Sequence, residues 1–142
     1  MATMSFDGAD DLIQSIQELT EMPESVLDDM LQAQAAVTIP AIQAKGRAYG
    51  VVDTGQSLAS LKPGKPKWNR DRTARELYIS PTGFRRRGRT VTRNAEILFV
   101  NEYGKRGQKA RPFMKDGGEA AAESQEKAAM TVYNGYLNQK DL

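Results

Sequence analysis

The chain has 142 residues, 39% of them hydrophobic and 27% charged, with a formal net charge of +2. That size fits a single domain with its own core. The absence of Cys and His excludes disulfides, thiol chemistry, imidazole bases and the commonest metal ligand. The near-neutral total conceals a bipolar chain: residues 1–44 carry −8, residues 45–115 carry +13 and residues 116–142 carry −3. A block at +13 is expected to face a polyanion or to pair with acidic surface on a neighbouring copy. No window approaches the roughly 18 consecutive apolar residues of a membrane span. Acids rather than bases stand near the N-terminus, so neither membrane association nor a secretory signal is expected.

Residues 1–48 read as a helical region. Leu12, Ile13, Ile16 and Leu19 recur at the spacing of one helical face, and Asp7, Asp10 and Asp11 stand where carboxylates cap free N–H groups. Pro23-Glu24 is a helix-start signal. From there Val26, Met30, Ala33 and Val37 form a stripe, widened by Leu27 and Leu31, that should face the core. Pro40 lacks the N–H that would bond Ala36 and should kink or break this helix, which resumes to about Tyr49.

The middle, residues 49–104, reads as a sheet. Lys62-Pro63-Gly64-Lys65-Pro66-Lys67 cannot be a central strand, because both prolines lack a ladder donor. Arg75 to Ser80 alternates like a strand, and Pro81-Thr82-Gly83 is a turn signal. Phe84 to Arg93 is strongly basic, with a single glycine, and reads as a long hairpin loop or arm. Asn94 to Tyr103, containing the run Ile97-Leu98-Phe99-Val100, reads as a returning strand. A basic connection, Lys105 to Arg111, leads to Pro112, whose fixed φ suits the first turn of a helix. The C-terminal helix is placed at 112–138, with a stripe of Ala121, Gln125, Ala128, Val132 and Tyr136. The fold class expected is α+β: N-terminal helices, a small antiparallel β-sheet with a long basic hairpin loop, and a C-terminal helix packed on the sheet, all in one domain.

Little in the chain carries catalysis. Asp53-Thr54-Gly55, after Val51-Val52, resembles the active-site loop of aspartic proteases, where two such carboxylates share a proton. Those enzymes are all-β, whereas a long helical region precedes this motif, and Leu58 to Leu61 reads as a helical turn. Asp53 more plausibly caps that turn through its side-chain oxygen. A metal-dependent nuclease needs clustered carboxylates, and Asp53, Asp71, Glu76, Glu96 and Glu102 are scattered through the basic middle. No catalytic, cofactor-binding or metal-binding residue is therefore assigned. The run Arg85-Arg86-Arg87-Gly88-Arg89, with Arg93, suits phosphates, but no helix-turn-helix, zinc or base-stacking motif accompanies it.

Two ordered motifs point elsewhere. Asp53-Thr54-Gly55 is followed by Leu58 and by Ser60, five residues after the glycine; later come Glu102-Tyr103-Gly104, a short loop, Arg111-Pro112-Phe113 and a helix. This order resembles the head–tail joining family of long-tailed double-stranded DNA phages and prophages, also called minor tail, neck or tail-completion proteins. The likeness runs from about residue 10 to residue 137. Two positions depart from the family pattern: Ser57 stands where Leu is usual, with Leu58 one place late, and Lys105 replaces a small hydroxyl residue. The resemblance implies a non-enzymatic virion protein that oligomerises at the head–tail junction, joining capsid and tail and letting DNA pass. Its partners would be copies of itself and other phage connector, head-completion or tail proteins, with nonspecific contact to passing DNA, and it would assemble in the host cytoplasm. The basic arm would face those neighbours or the DNA. A nonspecific nucleic-acid-binding protein acting alone through that arm is the alternative.

Overall fold

The computed structural model describes residues 22–51 and 56–140. The helical face expected at Leu12 to Leu19, with its capping Asp7, Asp10 and Asp11, lies outside the described residues, as do Asp53, Thr54 and Gly55. The first element is a 25-residue helix, α1 (Glu24–Ala48). Glu24 occupies its first turn, and Lys45 and Arg47 occupy its last, each opposing the local end of the helix dipole. Pro23 precedes it, and its carbonyl accepts the N–H groups of Val26 and Leu27 at 3.0 and 3.3 Å.

Contrary to expectation, α1 runs through Pro40 without a break. Ala36 and Pro40 are both exposed, so water can satisfy the carbonyl that proline leaves without a donor. The buried face also differs from the expected stripe. It consists of Met30, Leu31, Gln34, Ala35, Thr38, Ile42 and Gly46, with Ala33 and Val37 at its half-buried flanks. Polar Gln34 and Thr38 hide that face from a purely apolar count. Thr38 is accommodated because its hydroxyl donates to the Gln34 backbone carbonyl at 2.7 Å and in turn accepts from the Gln125 amide.

After α1 come a single turn, α2 (Gln56–Ala59), and the strands β1 (Leu61–Pro63), β2 (Lys67–Trp68), β3 (Arg75–Glu76) and β4 (Ile79–Pro81). β1 pairs with β4 and β2 with β3, both antiparallel. The strand expected over Arg75 to Ser80 is thus split in two. Pro63 and Pro66 cannot donate to a continuous ladder, and between them only Gly64 bridges across, its N–H bonding the Tyr78 carbonyl at 2.7 Å. A second hairpin, β5 (Phe84–Arg87) and β6 (Thr90–Arg93), turns at Gly88, whose φ of 62° favours glycine. In place of one small sheet there are three separate two-stranded antiparallel ribbons among the described residues.

Asn94 to Tyr103 is a helix, α3, and not the returning strand expected from Ile97 to Val100. Its buried residues are Asn94, Leu98 and Glu102, one helical face at a spacing of four. Two of those three are polar, so the apolar run masks the helical period, and tertiary contacts override strand propensity. Gly104 ends the helix at φ 78°. The C-terminal region forms α4 (Phe113–Ala120) and α5 (Ala122–Lys140), joined at Ala121. The expected stripe of Ala121, Gln125, Ala128, Val132 and Tyr136 is the partly or fully buried face, with Ala129 at its centre.

These elements close over three apolar clusters. The central one joins Ile42, Leu58, Leu61, Leu98 and Phe113, drawn from α1, α2, β1, α3 and α4, with Val51 from the segment after α1. A second packs the start of α1 on α5 through Met22, Met30 and Ala129. A third sets Leu31 and Ala35 against Leu77. The C-terminal helices therefore pack chiefly on α1, and the ribbons flank the helices. The close approach of α4 to α1 depends on Gly117, where a Cβ would lie 2.6 Å from the Ile42 Cα.

Candidate functional site

The Glu102-Tyr103-Gly104 and Arg111-Pro112-Phe113 segments meet in space. Glu102, at the end of α3, is 7% exposed, and its carboxylate accepts the free N–H groups of Met114 and Lys115 at 2.8 and 3.1 Å. It thereby caps α4 from another element, where the helix dipole favours a negative charge. Gly104 then lets the chain pass under its own return. A Cβ there would lie 2.8 Å from both the Ala110 nitrogen and the Gln108 carbonyl oxygen. The basic connection is a tight turn in which Lys105 and Gln108 exchange backbone hydrogen bonds of 3.1 and 2.9 Å.

Arg111 completes the lock. Its N–H donates to the Asn101 carbonyl at 2.7 Å, and its guanidinium donates to the Tyr49 and Gly50 carbonyls at 3.2 and 3.0 Å. A cation there satisfies carbonyls at the C-terminal end of α1. Pro112 sits before the helix and not in its first turn: φ is −76° and ψ is 63°. With the Phe113 N–H bonded to the Arg111 carbonyl at 2.7 Å, this is an inverse γ-turn. It aims the Phe113 ring, 0% exposed, into the central cluster. Tyr103 points away from all of this, 75% exposed and stacked on Phe99 at 6.2 Å.

Ser60 belongs to a second brace. Its hydroxyl donates to the Ser57 carbonyl at 2.6 Å, and the Ser57 hydroxyl donates to Asn94 Oδ1 at 3.2 Å. Asn94 Nδ2 donates to the Thr82 carbonyl at 2.8 Å, while Thr82 donates back to the Ser60 carbonyl through its hydroxyl at 2.9 Å. The circuit ties α2, the Pro81-Thr82-Gly83 turn and the start of α3 together. The bond between Asn94 and Thr82 was not expected from sequence, since nothing local signals it.

Other charged side chains also hold the fold. Arg75 makes a bidentate pair with Asp28, at 2.7 and 3.0 Å, and reaches Glu24 at 3.0 Å. The bond to Asp28 raises the Arg75 pKa further above its ordinary value. The Tyr49 hydroxyl donates to Asp116, which raises the tyrosine pKa through that hydrogen bond first, then burial and the carboxylate charge. Tyr78 is raised likewise by its 2.9 Å bond to Glu76. A cleft of about 260 Å³ between α1, α5 and the first ribbon is lined by Leu31, Ala35, Leu77 and the Gln34–Thr38–Gln125 chain. The Thr38 hydroxyl and the Gln125 amide already bond one another there, and Thr38 also bonds the Gln34 backbone carbonyl, so those two side chains do not converge on a ligand. Among the described residues no three His, Cys, Asp or Glu side chains are grouped to hold a metal.

The basic residues of the arm are placed differently. Across the hairpin Phe84 pairs with Arg93, Arg85 with Thr92, Arg86 with Val91 and Arg87 with Thr90. Arg86, Arg87, Arg89 and Arg93 are exposed, and Arg85 is half-buried. Phe84 and Val91 are 67% and 51% exposed. Searches against family models, curated proteins and solved structures return no match for this chain.

Proposed function

We propose that this chain is a structural, non-catalytic protein of the phage head–tail junction, which oligomerises to join capsid and tail and allow DNA passage. One observation carries the reading. The later motif residues on which the resemblance to the head–tail joining family rests interlock as structural parts: Glu102 caps α4, Gly104 admits the returning chain, and Arg111, Pro112 and Phe113 seat that helix in the core. Motif positions whose work is to hold a fold accord with a protein that acts by shape and contact. The basic hairpin presents the charge that such a contact needs.

The test is genetic. Deleting the gene from its parental phage or prophage should leave filled heads and separate tails in electron micrographs, and supplying the wild-type chain in trans should restore joined particles. Normally joined virions from the deletion would overturn the assignment. Salt-sensitive, sequence-independent DNA binding by the monomer, together with intact virions, would favour the nucleic-acid-binding alternative.

A further inference from the structure

The β5–β6 hairpin is patterned inside out. In a two-stranded antiparallel ribbon, directly paired residues share a face and successive pairs alternate. Phe84, Arg93, Arg86 and Val91 therefore lie on one face; Arg85, Thr92, Arg87 and Thr90 lie on the other. At the base of the hairpin the second face turns toward the protein, since Arg85 and Thr92 are half-buried; Arg87 and Thr90, nearer the tip, are exposed, as are all four residues of the first face. A ribbon covering its own core places apolar residues inward. Here Phe84 and Val91, the hairpin's two large apolar residues, look outward between two arginines.

That face is exposed, and its chemistry describes what would cover it. The arginines call for anions, and Phe84 with Val91 calls for apolar surface. A phosphate backbone supplies only the first. An acidic helix carrying small apolar residues supplies both, and the C-terminal helices have such a surface. Glu119, Ala120, Ala122, Glu123 and Glu126 are all exposed, and of these carboxylates Glu123 is shared with Lys127 at 3.2 Å.

We infer that the outward face of the hairpin, Phe84, Arg86, Val91 and Arg93, docks on the acidic outer surface of α4–α5 in a second copy of this chain. The contact joins two different surfaces, so it leaves each copy with one free hairpin and one free acidic face. Repetition then closes a ring or extends a filament, according to the rotation between copies. This inference rests on the proposed assembly role and assigns its self-contact.

Sedimentation velocity of the purified full chain tests it. The wild type should self-associate with concentration, and less so at high salt. Phe84→Ser with Val91→Ser should sediment as a monomer while keeping the wild-type circular dichroism spectrum and melting temperature. Arg86→Glu with Arg93→Glu, and separately Glu119→Lys with Glu123→Lys and Glu126→Lys, should each remain monomeric alone yet associate when mixed. A wild-type chain monomeric at every concentration would overturn the inference, as would charge-reversed chains that fail to associate on mixing. Tight binding of duplex DNA through Arg86 and Arg93, without self-association, would overturn it in favour of a DNA-facing hairpin. None of these results decides whether the deletion phage joins heads to tails, so the two proposals fail separately.

Discussion

Arg111 and Arg86 are the same residue put to opposite uses, and the regions around them differ in the same way. At the motif junction, the Arg111 guanidinium lies against the last carbonyls of α1, Glu102 is spent on backbone N–H groups, and Phe113 is fully buried. At the hairpin, Arg86 stands exposed beside Val91, and Phe84 is two-thirds exposed. Both regions are basic in sequence. What separates them is register: a half-turn of helix or one step of a strand decides whether a side chain meets the chain's own backbone or the outside. Substitutions should therefore cost stability at the junction and association at the hairpin, with little crossover.

The largest stability effect should come from Phe113→Ala. Truncating a buried Phe typically costs about 3–5 kcal/mol, a large part of what a domain of this size has to lose. Denaturant melts of the variant should show a loss in that range, and a loss below about 1 kcal/mol would remove Phe113 from the centre of the core. Glycines in α4 give a paired comparison of nearly the same rank. Gly117→Ala would drive a methyl into the α1 backbone at Ile42, at a cost of roughly 1–3 kcal/mol. Gly118→Ala meets nothing within 4 Å and should be neutral or stabilise by up to about 1 kcal/mol, because Ala is the better helix former.

Next in size is Glu102→Ala. It leaves the N–H groups of Met114 and Lys115 without their acceptor, at a cost of about 1–3 kcal/mol. Hydrogen exchange at those two amides should accelerate more than elsewhere in α4. Uniform acceleration would mean that the cap acts on the whole domain rather than locally. Neutralising Arg86, Arg89 and Arg93 together should shift stability by less than about 0.5 kcal/mol, since exposed charges contribute little. That variant should nonetheless fail to restore joined particles in the complementation assay. Normal particle formation would mean that the hairpin charge is not an assembly element.

The same contrast explains how much could be read in advance. The α+β class, the Pro23 helix start, the basic hairpin and the stripe along α5 were legible because each rests on a local signal: a proline, a charge run with a glycine, a period of four. α3 was not, because its core-facing positions Asn94 and Glu102 are polar, while the apolar Phe99 faces solvent. Each of those polar residues is bought off by a partner distant in sequence, Thr82 for the first and α4 for the second. Local periodicity cannot register such a bond. The single expected sheet became three ribbons for a related reason, since prolines interrupt a ladder whose continuity only the paired strand reveals. Of the site, the residues of the junction were visible as a motif, but their convergence was not.

The smallest effect sharpens the comparison at its edge, where α1 meets α4. The Tyr49 hydroxyl donates to Asp116, and that bond raises the tyrosine pKa above its ordinary 10.0. The fold thus favours the protonated phenol. Stability from this contact is fully present below the unfolded value near pH 10 and is lost as pH rises through the higher folded value. Tyr49→Phe lacks the contact at every pH. The stability difference between wild type and variant should therefore be constant from neutral pH to about pH 10 and should close above it. Tyr78, raised by Glu76, titrates in the same window but is present in both chains, so it cancels in the difference. Urea melts of the two proteins at stepped alkaline pH give the curve directly. A difference that widened with pH would show that Tyr49 is held as the phenolate, and the polar link at this edge would then rest on Arg111, beside the packing of Gly117 and Phe113 on α1.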